Sequence, residues 1–393
     1  MRFRYLIMFL CFMVSAVTSF CYGAEEKILC GMEFGGKKSD TATAVELASD
    51  GGYVFTGSTE TFGAGKKDIW VVKLDTAGRK QWAKLYGDTR NEVGESIVRF
   101  SDNGYILAGH TDSHGAGATD LFIIRLDIDG NNVWVKTFGG ECAETAAEVV
   151  AVDDDSFVVA GTTCSYGQGG NDIWLLKMDG EGNNIWSYSY GGEKEEEAAG
   201  IMAMKGGGYV VFGTSDSRGD GSKDGWVFGL DSEGKKTWDK TFGGKSEDMI
   251  ADAVATEAGI LFVGSTESKG NGGSDVWVFR TDMKGDILWE KTYGDGGDET
   301  GVSVVPAGDG YYVASKWFSD IKTGEDMVLI KIDGDGGEQW RRTYGGAQSD
   351  VPVMIIEAEN DRFIVAGTIG EYAKDKAMNA WIVKVDRDGK CSW

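Results

Sequence analysis

Apolar residues along this chain come in short bursts rather than in long helical stripes. Between Tyr86 and Phe138 a half-apolar segment ends at Ser101-Asp102-Asn103-Gly104, and Tyr105-Ile106-Leu107-Ala108-Gly109 follows it. A loop rich in glycine and polar residues, His110 to Thr119, comes next, and then Asp120-Leu121-Phe122-Ile123-Ile124-Arg125-Leu126. The turn Asp127-Ile128-Asp129-Gly130 leads into Val133-Trp134-Val135-Lys136-Thr137-Phe138. Runs this short, rich in branched and aromatic residues and bounded by Gly, Asp and Asn, predict four strands joined by hairpins. The third run is apolar on consecutive residues, as is Ile173-Trp174-Leu175-Leu176 further on. Loss of alternation marks a strand covered on both faces.

The unit is copied. Tryptophans stand at 82, 134, 186, 238, 289, 340 and 393, in steps of 52, 52, 52, 51, 51 and 53. An aspartate seven residues earlier (Asp75 to Asp386) and a glycine four earlier (Gly78 to Gly389) keep the same steps. Such a period means one supersecondary unit repeated in an array. Residues 143–152 alone would pass for a helix, but the other copies favour a strand there. Four-stranded antiparallel sheets covered on both faces fit radial stacking, so the expected fold is all-β, a seven-bladed β-propeller. Only two prolines, Pro306 and Pro352, occur in the chain, which suits strands that must donate to ladders. Ile28 to Gly36 reads as the last strand of a unit, with Phe34-Gly35-Gly36 matching Phe138-Gly139-Gly140. It is expected to complete the seventh blade beside the C-terminus and so close the ring. One propeller then accounts for residues 24–393.

The pattern Phe/Tyr-Gly-Gly, Asp-Gly-Gly-Tyr-Val, Gly-x-Gly-x-x-Asp-x-Trp and Asp-x-x-Gly-x-x-x-Trp resembles that of exported tandem-repeat propellers of bacteria and archaea. These are loosely grouped with pyrroloquinoline-quinone-like propellers, and the resemblance spans about residues 27–393. It implies a seven-bladed ring with tryptophans docked between blades, and it does not imply catalysis. Asp231-Ser232-Glu233-Gly234-Lys235-Lys236-Thr237-Trp238 is similar to the quinoprotein docking motif, though one residue shorter and without its threonine. Asp129, Asn131 and Val133 match the centre of the bulb-type lectin motif, while Asp127 and Val135 depart from it.

Composition adds the compartment. Arg2 and Arg4 precede an apolar run from Tyr5 to Val17 and a short polar stretch to Gly23, the pattern of a secretory signal peptide over residues 1–23. The apolar run is too short for a stable membrane span. The expected location is periplasmic, secreted or at the cell surface, with a lipid anchor at Cys21 as a weaker variant. The full chain carries a formal charge of −24; without residues 1–23 it has 37 basic against 63 acidic residues, about −26. That charge disfavours nucleic acid and anionic lipid. Four cysteines then remain, and an even number in an exported chain suggests two disulfides. The repeat register places Cys30 beside Cys391, and Cys142 and Cys164 across the open end of one hairpin.

Two acids recur in every copy. Asp40, Glu92, Glu144, Glu196, Asp248, Glu299 and Asp350 stand six residues after the Phe/Tyr. Asp68, Asp120, Asp172, Asp224, Asp275 and Asp326, with Asn379 in the last copy, precede the third-strand aromatic position. Strand direction puts both sets at one end of the propeller, as a cation- or ligand-binding ring or as acceptors for backbone N–H groups. The Gly-x-Gly loops before Asp68, Asp120, Asp172, Asp224 and Asp275 make calcium possible, although one carboxylate per loop is few ligands. No other cofactor is expected. Ser315-Lys316-Trp317-Phe318 breaks the repeat, and Lys316, Trp317 and Phe318 are ligand-binding candidates, with Trp317 a platform for a sugar or aromatic group. His110 and His114, the only histidines, share one loop with Asp112. They accompany no nucleophile motif, so no catalytic residues are assigned. The expected function is an exported, monomeric ligand- or protein-binding scaffold with an unknown protein or carbohydrate partner. The alternatives are a quinoprotein-like oxidoreductase and a carbohydrate-binding or glycan-acting protein.

Overall fold

The computed structural model describes Ile28 and residues 30–153, 155–320, 324–346, 348–370 and 377–393. The expected signal peptide over 1–23, with Cys21, lies outside the described residues. Twenty-eight strands form seven four-stranded antiparallel sheets, and no helix occurs among the described residues. In blade 1 the strands are Asp40–Leu47, Tyr53–Thr59, Asp68–Leu74 and Lys80–Tyr86, paired in that order from the axis outward. The innermost strands of blades 2 to 7 are Glu92–Arg99, Glu144–Asp153, Glu196–Ala203, Asp248–Thr256, Glu299–Ala307 and Ser349–Ala358. Each of the seven packs against the next, and the seventh packs against the first.

Instead of one core there are seven, one in each interblade gap. Val54, Ile69 and Val71 of blade 1 pack on Tyr105, Leu107 and Ile124 of blade 2. Ile106 and Ile123 of blade 2 meet Val159 and Trp174 of blade 3, and the series ends with Ile364 and Ile382 of blade 7 on Phe55 and Trp70 of blade 1. Second and third strands therefore bury both faces, and Tyr53–Thr59 and Asp68–Leu74 are buried at every residue. This explains their unbroken apolar runs.

Residues 143–152 lie in the strand Glu144–Asp153. Ring closure uses the short strand Met32–Phe34, which pairs with Met378–Val385 in the register Met32↔Ile382, Glu33↔Trp381 and Phe34↔Ala380. The disulfide Cys30–Cys391 ties the same seam, and Cys142–Cys164 lies within blade 3.

The recurring Asp, Gly and Trp now have causes. Asp75 Oδ1 accepts from the N–H groups of Ala77 and Arg79, both at 2.9 Å, an Asx-type turn between third and outer strands. Gly130 in the same turn of blade 2 has φ +74°, and a Cβ there would lie 2.8 Å from the Trp82 ring of blade 1. Trp134 under Gly182, Trp238 under Gly285 and Trp289 under Gly336 repeat the arrangement, and Trp393 meets Gly78 across the seam. A left-handed turn and close aromatic packing both require glycine.

Candidate functional site

The two recurring acid sets meet across blade boundaries. In five of the short turns joining one blade's outer strand to the next blade's inner strand, a glycine has one carboxylate on either side. A Cβ on Gly139 would sit 2.2 Å from Asp120 Oδ1 and 2.4 Å from Glu144 Oε2. On Gly191 it would sit 1.8 Å from Asp172 Oδ1 and 2.5 Å from Glu196 Oε2. The pairs Asp68 with Glu92, Asp224 with Asp248 and Asp275 with Glu299 flank Gly87, Gly243 and Gly294 in the same way. Asn379 takes the first role beside Asp40 at the closing seam.

These acids are buried and occupied. Glu144 accepts from Thr163 Oγ1 at 2.8 Å, Gly140 N at 2.9 Å and Ser165 N at 3.2 Å. Glu92 takes Thr111 Oγ1 and Asp88 N, and Glu196 takes Ser215 Oγ and Gly192 N. Asp40 and Asp248 accept from Thr59 and Thr266, and from Gly36 N and Gly244 N. Glu299 and Asp350 receive Asp295 N and Gly346 N. In the outer set, Asp68, Asp224 and Asp275 accept from Gly65 N, Gly221 N and Asn271 N. Asp120 and Asp172 likewise accept from Gly117 N and Gln168 N. Burial holds the carboxyls of Asp172, Asp224, Asp275 and Glu299 above the ordinary range, and the facing acids Glu196 and Asp248 add repulsion on Asp172 and Asp224. Among the described residues, no three His, Cys, Asp or Glu side chains gather as a metal-ligating set.

A second group of acids lies on the axis, unmarked by the sequence reading. Every inner strand shifts register near its middle, for example between Ala42 and Ala44, Ala146 and Glu148, and Ile250 and Asp252. Such bulges re-aim side chains. The residues around them, drawn from all seven inner strands, enclose a cavity of about 120 Å³ that includes Glu95, Glu148 and Asp252. Glu148 accepts from Ile201 N of blade 4 at 2.8 Å. Asp252 accepts from Ser303 Oγ at 2.7 Å and Val304 N at 2.9 Å in blade 6. Ser96 and Ser303 hold the equivalent place in blades 2 and 6, accepting Val149 N and Ile355 N at 3.2 Å. Desolvation and the neighbouring Asp252 charge push Glu148 up to about 8, and desolvation raises Asp252 to about 6 against its hydrogen bonds. Burial also lifts Glu95 and Glu46 to about 7, with Lys67 and Arg99 respectively pulling back. The positions matching Glu148 and Asp252 stand four residues after the recurring inner acid in every blade: Ala44, Ser96, Glu148, Gly200, Asp252, Ser303 and Met354. Aligning the copies and looking for the column with two acids among small residues would have found them.

A third periodic feature runs around the perimeter. The residue eight before the third-strand aromatic lies over that ring in five blades: Phe62 on Trp70, His114 on Phe122, Tyr166 on Trp174, Arg218 on Trp226 and Lys269 on Trp277. In blades 4 and 5 the cation is paired with an outer-strand acid, Arg218 with Asp239 at 3.7 Å and Lys269 with Glu290 at 2.6 Å. In blade 3 the corresponding residues carry no charge. A recess of about 490 Å³ opens there, bordered by Thr137, Gly139, Tyr166, Trp174, Ser187 and Ser189.

The remaining candidates are dispersed. Trp317 is half-buried; its Nε1 donates to Ser315 Oγ at 3.0 Å, and the Arg341 guanidinium lies 4.6 Å from its ring centre. Lys316 pairs with Glu325 at 3.1 Å, and the exposed Phe318 donates its N–H to Asp298 O at 3.0 Å. His110 Nδ1 lies 3.4 Å from Glu95 Oε1, and burial lowers its pKa; His114 lies against Phe122 instead.

No known family pattern matches the chain. The regulatory protein FlaEY of Caulobacter vibrioides is 24% identical over 226 residues, 49% of this chain and 24% of that protein. The chain thus spans about a quarter of the length of that relative. Among solved structures, a puromycin hydrolase superposes with TM-score 0.57 at 12% identity, over 91% of this chain and 53% of the other. The WD40 domain of Neurospora crassa Pan2 gives 0.51 at 10%, over 87% and 89%. YCF48, solved with a D1 peptide bound, gives 0.51 at 12%, over 89% and 94%. Identities this low show the propeller fold and nothing more specific.

Proposed function

We propose that this chain is an exported, non-catalytic binding module, a rigid wheel whose rim and side surfaces engage a ligand or another protein. The observation that carries the reading is the use made of the recurring acids. In blade after blade they hold the turns between neighbouring blades through backbone hydrogen bonds, so they serve the scaffold. What differs from blade to blade is the surface laid over that scaffold. The grouping with pyrroloquinoline-quinone-like repeats rests on the Asp-x-x-Gly-x-x-x-Trp turns and belongs to this proposal. Export rests on the pattern of residues 1–23 together with two disulfides, which persist in oxidising compartments. YCF48, a propeller bound to a peptide, illustrates the use of such a wheel as a receptor.

Native mass spectrometry of protein taken from its source tests the reading, with a co-purifying ligand or partner as the expected result. Turnover of a glycan or quinone substrate, abolished by Glu148→Gln in a folded variant, would overturn it.

A further inference from the structure

We infer that the recess on the side of blade 3 is a binding site for a neutral oligosaccharide. The inference rests on the binding-module reading and gives it a ligand class. Blade 4 shows what the same place looks like when closed. There Arg218 and Lys236 lie 4.8 and 4.7 Å from the Trp226 ring centre, and both approach Asp239, at 3.7 and 2.8 Å. The three positions corresponding to Arg218, Lys236 and Asp239 are Tyr166, Asn184 and Ser187 in blade 3. Every charged group has been replaced by an uncharged one able to hydrogen-bond, and the shorter side chains leave the volume open.

The recess is built rather than left over. Tyr166 lies 5.2 Å from Trp174, centre to centre, and remains 43% exposed. Its hydroxyl donates to Gly139 O of the preceding turn at 2.9 Å, and Trp174 Nε1 donates to Ser187 Oγ at 2.8 Å. Blade 3 also holds the one disulfide within a blade among the described residues, and Cys164 stands two residues before Tyr166. The loop carrying the aromatic ring is thereby fixed before any ligand arrives, which lowers the ordering cost of binding.

The chemistry selects the occupant. A sugar ring presents an apolar C–H face, which an exposed aromatic ring accepts, and a rim of hydroxyls that both donate and accept. Hydroxyls of Thr137 and Ser189 and the amide of Asn184 do the same. The volume of about 490 Å³ falls within the range of small-ligand sites, roughly 300–1,000 Å³. The absence of charge among the lining residues leaves an ionic ligand without a counter-charge, and the net charge of −24 further opposes anions. Phe138, Trp174 and Tyr188 also border the recess, so a proline-rich peptide, which docks in grooves walled by aromatic side chains, is the occupant that the test separates from a sugar.

The test is calorimetric titration and tryptophan fluorescence of the full chain with cellotetraose, chitotetraose, maltotetraose and mannotetraose. At least one should bind with a single site per chain. Tyr166→Ala should weaken it by about tenfold or more. The combined substitutions Tyr166→Arg, Asn184→Lys and Ser187→Asp, which install the blade 4 arrangement, should abolish binding while circular dichroism remains unchanged. Phe62→Ala, at the matching place in blade 1, should bind normally. Failure of all four sugars to bind, or binding unaffected by the triple substitution, overturns the assignment. So does binding of a decaproline peptide that depends on Tyr166 in the absence of any sugar binding, although that result would leave the module reading standing. Turnover of a substrate would instead defeat the module reading itself.

Discussion

Removing the disulfide at the ring seam should destabilise the protein far more than removing the one inside blade 3. Cys30 and Cys391 are separated by 361 residues, whereas Cys142 and Cys164 are separated by 22. In the chain-entropy description a cross-link restricts the unfolded chain in proportion to the logarithm of the loop it closes. That gives about 6 kcal/mol for the long loop and about 3 kcal/mol for the short one at 25 °C. Measured values for engineered bridges often fall below this description, so the difference of about 2–3 kcal/mol is the quantity to examine. Folded-state geometry points the same way. Without the seam disulfide the wheel is shut by a three-residue strand, the bridge between Ile28 and Tyr344, and the interblade packing. The experiment compares urea unfolding of Cys30→Ser/Cys391→Ser with Cys142→Ser/Cys164→Ser, both oxidised and at low protein concentration. The seam variant should show the lower midpoint and a steeper denaturant dependence, because its unfolded chain exposes more surface. Equal losses, or a larger loss in the blade 3 variant, would refute the argument.

Stability should fall as pH rises. Glu148, Glu95 and Glu46, raised to about 8, 7 and 7, and Asp252, raised to about 6, ionise less readily folded than unfolded. Their contribution is therefore complete below about pH 4 and is lost progressively as pH rises from there through about 6 to 8. Glu148→Gln should recover roughly 1–3 kcal/mol at pH 8.5 and little at pH 4; denaturation midpoints that are flat with pH would contradict the assignment. Gly191→Ala should destabilise by about 2–4 kcal/mol, because its Cβ meets Asp172 Oδ1 and Glu196 Oε2. Gly334→Ala, whose added atom would meet Asp309 O at an ordinary 3.5 Å, should cost under about 0.5 kcal/mol; thermal unfolding of the pair would expose any error in the turn geometry. Glu144→Ala, which leaves Gly140 N and Thr163 Oγ1 without their acceptor while Ser165 N keeps Thr163 Oγ1, should lose about 2–4 kcal/mol. Calcium or a chelator should leave the melting temperature of the unaltered protein in place, and a shift of several degrees would show that the loop aspartates hold an ion.

Much of the wheel is written in the chain itself. Asp75, Gly78 and Trp82 are a local turn and its docking residue, so their return at 51–53 residues announces both the unit and the number of blades. Interblade cores follow from consecutive apolar residues such as Ile173 to Leu176, and the disulfide partners follow from the register of the repeats. Each of these signals is periodic or contained within one hairpin. The axial acids are neither. Glu148 and Asp252 stand 104 positions apart on blades that are not neighbours, and their mutual repulsion exists only because the closed ring turns both toward one small space. Tyr166, Asn184 and Ser187 were equally silent, since their meaning comes from comparison with Arg218, Lys236 and Asp239 on the next blade once the stacked rings are seen. Local turns and repeated apolar runs can be recognised from short stretches of sequence. Which polar side chains share a cavity, and which surface lies open, depends on how separate blades face one another, and only the folded ring decides that.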